Sequence, residues 1–75
     1  MENYNGYQEL ANAIVAQAAK DYMKAKKRLM KHPKNTDALD EIKECTRFFH
    51  SSWYQFLTKI DGDYLIAQLD KAVMA

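Results

Sequence analysis

Apolar residues recur at helical spacing in three stretches of this chain. Tyr7, Ala11, Ile14, Ala18, Tyr22, Ala25 and Leu29 step by 4, 3, 4, 4, 3 and 4. That is one stripe of an amphipathic helix, held for about six turns. Leu10, Val15 and Met30 widen the stripe, and its alanines leave room for a second helix to come close. The expected first helix covers about 7–31, with 1–6 as a flexible lead-in and Asn5 as a cap. It stops at Lys31-His32-Pro33, because the residue before a proline avoids helical geometry.

A second stripe follows after a short link. Asn35, Thr36 or Asp37 can accept the first free N–H groups of a helix, and Asp37, Asp40 and Glu41 suit the positive end of its dipole. Ala38, Ile42, Cys45, Phe49, Trp53 and Phe56 then step by 4, 3, 4, 4 and 3, with Leu39 and Leu57 beside them. Ser51 and Ser52 are weak helix formers and allow a bend. Lys59-Ile60-Asp61-Gly62 reads as a turn, and Asp61 or Asp63 can cap a shorter helix whose face is Leu65, Ile66, Leu69 and Val73.

The predicted fold is therefore all-α. A long helical hairpin (about 7–31 and 36–58) is closed by a short third helix (about 62–74) in a single helical domain. A first helix of ~24 residues is about 36 Å long at ~1.5 Å per residue. It offers more apolar face than one short helix can cover, so a homodimer or another partner is expected.

Composition narrows the class. The 75 residues are 48% hydrophobic and 12% aromatic, a content that disordered chains lack. Two Gly and one Pro are too few for the frequent turns of a β-rich fold. The one cysteine, Cys45, excludes an intrachain disulfide, and His32 and His50 have no zinc spacing with it. No metal or cofactor is expected. No apolar run has the ~18–20 residues needed to cross a bilayer, and the first ten residues carry no signal pattern. A cytoplasmic protein with no membrane partner is the expectation.

The net charge of +1 conceals an asymmetry: residues 20–34 carry +6, and residues 35–75 carry −3. Lys20, Lys24, Lys27 and Lys31 step by 4, 3 and 4 and share one face. This electrostatic ridge either binds phosphates or an acidic partner, or is a solvated face that complements the helix dipole.

The segment Arg47-Phe48-Phe49-His50-Ser51-Ser52-Trp53-Tyr54 puts aromatics on two faces of the second helix. Phe49 and Trp53 fall on the core stripe, while Phe48 and Tyr54 are offset by about 100°. Arg47, His50 and Tyr54, at spacings 3 and 4, form a polar-aromatic stripe that can grip an anion or stack on a base. Arg47, Phe48, His50 and Tyr54 are the candidate partner-binding residues. Alternatively, Phe48 and Tyr54 cover the third helix or a dimer mate.

Enzyme chemistry finds little support. His50 neighbours Ser51 and Ser52, but adjacent helical residues point apart and no strand–turn–helix elbow is present. The acids at 37, 40, 41 and 44 lack the Glu-x-x-His motif of bundle metal sites. No glycine-rich phosphate loop occurs. No catalytic residue is assigned. A helix-turn-helix reading fails on the third helix, which carries Asp63 and Asp70 against Lys71, since phosphate contacts supply much of the affinity for DNA.

Ala13-Ile14-Val15 with Asp21-Tyr22, then Arg47-Phe48-Phe49-x-Ser51-x-Trp53, then Leu57-Thr58-x-Ile60-Asp61-Gly62-x-Tyr64-Leu65-Ile66-x-x-Leu69 form a pattern. Over roughly residues 11–70 it resembles short, uncharacterised helical proteins encoded by phages and integrative elements of Firmicutes. His50 stands where that pattern carries Arg. The resemblance implies a small accessory protein made inside a bacterial host cell. The expected function is non-enzymatic binding that occupies a host target, a defence or regulatory component. The alternatives are nucleic-acid or nucleotide binding through the ridge and aromatic stripe, and a structural homo-oligomer.

Overall fold

In the computed structural model, the backbone of residues 2–74 and the side chains of residues 6–74 are described. Four helices follow one another: α1 (Glu2–Lys31), α2 (Thr36–Phe49), α3 (Ser52–Leu57) and α4 (Gly62–Met74). The fold is all-α, as the three stripes require, and no strand occurs among the described residues.

α1 begins ahead of the expected start at 7 and takes in most of the expected lead-in. Once a helix is nucleated, each added residue gains a hydrogen bond, and no proline before Lys31 stops the growth backwards. The expected Asn5 cap lies outside the described side chains. At the other end the His32 N–H still bonds to the Arg28 carbonyl at 2.9 Å, and Asn35 N–H to the His32 carbonyl closes the turn around Pro33. The Asn35 side chain then accepts from the Ala38 N–H at 3.0 Å and starts α2.

α2 returns antiparallel to α1. The turn joins their ends, and farther along the Phe49 ring meets Tyr22 edge-on at 5.9 Å. α4 runs in the direction of α1. Its Asp63 meets His50, its Asp70 meets Tyr22 and Lys26, and Val73 and Met74 close a groove with Lys26 and Met30. Rather than capping one end, the last helix lies along both long ones.

The expected second helix of 36–58 is broken. Ser51 takes an extended conformation (φ −82°, ψ 159°), and its hydroxyl accepts from the Tyr54 N–H at 3.1 Å while donating to the Phe48 carbonyl at 2.6 Å. A serine side chain that offers the backbone such partners competes with continued helix. The extended residue interrupts the 100° advance per position, so the aromatic stripe slips in phase. Tyr54 takes the inward place that the spacing gave to Trp53, and Trp53 and Phe56 leave the core stripe for solvent.

The core is accordingly small and aromatic. Tyr22, Cys45, Phe49, Tyr54 and Leu69 are buried together, with Val15, Ala18, Ile42, Phe48, Leu65 and Ile66 packed around them. Ala11, Ala25 and Ala38 are also buried, which is how the alanines of the stripes let the helices approach. At the α4 end the approach is closest. A Cβ built on Gly62 would overlap the Phe49 carbonyl oxygen, so only glycine fits there. Asp61 caps α4, accepting from the Tyr64 N–H at 3.0 Å.

Candidate interaction surfaces

The aromatic rings form a continuous run from the core to the surface. Tyr22 packs on Phe49, Phe49 on Phe48 and Tyr54, and Phe48 on Trp53, all with centroids 5.7–5.9 Å apart and mostly edge-on. Tyr54 lies at the buried end, 1% exposed, and its hydroxyl has no hydrogen-bond partner among the described residues. Burial first, and the nearby Asp61 carboxylate second, push that phenol above its ordinary range. Trp53 ends the run at the surface, 57% exposed.

These positions correct the expected partner-binding set. Arg47, Phe48, His50 and Tyr54 do not share a face. Tyr54 belongs to the core and cannot stack on a ligand. Phe48 is half-buried on the flank that faces α1. Arg47 and His50 are exposed, and Nε2 of His50 donates to Oδ1 of Asp63 at 2.6 Å. The polar-aromatic stripe assumed an unbroken helix through 50–54, and the Ser51 cap removes that premise. The same cap commits the Ser51 hydroxyl to backbone groups, and His50 faces Asp63 rather than a serine.

The electrostatic ridge survives as a ridge. Lys20, Lys24, Lys27 and Lys31 are all exposed, on the side of α1 away from the buried Tyr22 and Ala25. Lys26, which is not part of the ridge, reaches Asp70 at 3.5 Å and lies over the Tyr22 ring at 5.5 Å. Among the described residues no group of three metal-ligating side chains comes together. No helix there is long and apolar enough to cross a membrane.

Two surfaces emerge that the spacing did not predict. The first lies at the α3 end. His50, Gln55, Lys59, Ile60, Asp61 and Asp63 border an open groove of about 500 Å³, and Gln55 and Lys59 also border a second groove beside Phe56 and Gln8. Phe56, in the second groove, is 81% exposed, and Ile60, in the first, is exposed too. The second lies on the flank of α1. There Ile14, Gln17, Ala18, Asp21, Phe48 and Trp53 line an apolar groove of about 350 Å³. Gln17 donates to Asp21 at 3.0 Å and holds that carboxylate at its edge. The serine pair at 51–52 was the sequence signal for both, since the break turns Trp53 and Phe56 outward.

Compared with protein-family models, curated proteins and solved structures, the chain matches none.

Proposed function

We propose that this chain is a small non-enzymatic binding protein of phage or mobile-element origin. It acts inside a bacterial host cell by occupying a protein target, a defence or regulatory component. The observation that supports this reading is the α3 end of the molecule. An exposed Ile60 lines an open groove with His50, Lys59, Asp61 and Asp63, and a nearly free Phe56 lines the adjoining groove that shares Gln55 and Lys59 with it. Interface hot spots have this make-up, an aromatic anchor inside a polar rim. Arg47 stands exposed on α2, one turn before His50. The resemblance to phage-encoded helical proteins supports the cellular setting.

The test is affinity capture from host lysate with the purified chain and with Phe56→Asp and His50→Glu variants. A target held by the wild type should be lost from Phe56→Asp and weakened at least about tenfold by His50→Glu. A target captured equally by all three forms would remove the α3 end from this reading.

A second reading rests on the lysine ridge: binding of a nucleic acid or nucleotide. Four exposed lysines on one helical face favour it. It lacks the stacking platform once expected of Tyr54. It predicts a steep fall of affinity with salt, with a log–log slope of about −3 to −4 for four neutralised phosphates. A flat salt dependence would rule it out for polynucleotides.

A further inference from the structure

The flank of α1 carries an apolar surface that the proposed target contact does not use. Tyr7, Leu10 and Ile14 step by 3 and 4 and lie on one side of α1. Tyr7 and Leu10 are 63% and 61% exposed. Ile14 continues into the groove beneath Trp53, where Ala18 leaves the floor open. We propose that this flank is the interface between two copies of the chain, joined across a two-fold axis near Ile14.

Three observations favour a second copy. First, the chain exposes 5807 Å², where a monomer of 8.7 kDa exposes about 4,700 Å² by mass scaling. The elongated molecule thus exposes roughly 1,100 Å² more than a compact one, and each partner in a stable complex of standard size buries ~800 Å². The radius of gyration agrees, at 13.7 Å against about 11 Å for a compact domain of this length.

Second, the flank is self-complementary. It holds a projecting indole and, beside it, a groove with a small residue at its floor. A two-fold contact must be made of one patch meeting itself. Trp53 of each copy can then enter the Ile14–Ala18 groove of the other.

Third, the polar groups fit the same axis. With Ile14 on the axis and the two α1 helices antiparallel, Tyr7 of one copy lies level with Asp21 of the other. A phenol donor thus faces a carboxylate acceptor. The lysine ridge stays on the outer side of α1 and is not desolvated.

This inference is independent of the target contact, because the dimer leaves both Phe56 ends open. The test is sedimentation of the full chain from about 1 to about 500 µM, alongside Leu10→Glu and Trp53→Glu. Both changes fall on exposed side chains, and circular dichroism checks that they fold. The wild type should sediment at about twice 8.7 kDa. Both variants should be folded monomers at concentrations at least about tenfold higher than the wild type's midpoint. Phe56→Asp should remain a dimer. Trp53 is the only tryptophan, so dilution of the wild type should also red-shift its emission as the indole leaves the interface. A wild type that stays monomeric throughout overturns the proposal. So does any oligomer that survives both flank variants, or one that Phe56→Asp dissolves as readily as they do.

Discussion

The Tyr22 hydroxyl donates to Oδ1 of Asp70 at 2.7 Å across 48 positions of sequence, and so latches α1 to α4. Lys26 approaches the same carboxylate oxygen at 3.5 Å. The bond is partly buried, and a phenol left there without its acceptor keeps its desolvation cost. Tyr22→Phe should therefore lower unfolding free energy by about 1 to 2 kcal/mol, and Tyr22→Ala by about 3 to 5 kcal/mol through the cavity as well. Asp70→Ala, which orphans the phenol, should cost more than Tyr22→Phe, and the double variant less than the sum of the two. Urea unfolding of the four forms measures all of this.

The chain should lose stability in alkali, in an order set by its buried acids. Burial, then Glu41, Asp21 and Glu44, push the Cys45 thiol from 9.0 up to about 11. Burial and Asp70 raise Tyr22, and burial and Asp61 raise Tyr54. A raised value means that the folded state holds its proton more tightly than the unfolded one. The stabilisation is then complete below the unfolded value and falls as pH climbs toward the folded one. The contribution of these three groups should be complete up to about pH 9, fall through about pH 11 with Cys45, and fall further above about pH 10 as the tyrosines join. In Cys45→Ala the midpoint of thermal unfolding should show a shallower slope between those limits.

The two glycines should respond in opposite directions. A methyl at Gly62 meets the Phe49 carbonyl, a backbone group that cannot swing aside. Gly62→Ala should then displace the start of α4 and cost about 2 to 3 kcal/mol. Gly6 lies in α1 with nothing within 4 Å of an added Cβ. There the same change removes unfolded-state freedom and should stabilise by about 0.5 kcal/mol. Paired thermal melts distinguish the two signs.

Ser51→Ala should remove the α3 cap and cost about 1 kcal/mol, whereas Ser51→Asp or Ser51→Asn should retain most of it. Without the cap, α2 is free to run on, and Trp53 should return toward the inward phase that its spacing from Phe49 prescribes. A blue shift of the tryptophan emission in Ser51→Ala, absent in Ser51→Asn, is the expected result.

The long stripes were legible because a 3.6-residue period over many turns has few competing explanations. The caps were legible too. Asn35 and Asp61 sit where short polar side chains precede an apolar run, and α4 falls on the expected 62–74. What escaped was a matter of about 1 kcal/mol, the typical strength of one capping side chain. Phe49 and Trp53 fit the i, i+4 template well, and no count of apolar positions weighs that fit against the Ser51 hydroxyl. The Tyr22–Asp70 latch escaped for another reason. It joins residues whose distance depends on how α4 is laid against α1, and Asp70 by itself read as one more surface acid.

The break at Ser51 decides which of two neighbouring aromatic side chains is inside. Carried through as helix, the sequence would hide Trp53 and present Tyr54. As folded, it hides a phenol whose hydroxyl has no partner among the described residues and presents an indole. The chain thus accepts a poorer interior to keep its largest side chain outside. Residues 50–52 therefore act as a selector, through which drift at one or two surface positions can redraw the contact face of the molecule while its hydrophobic inventory stays the same.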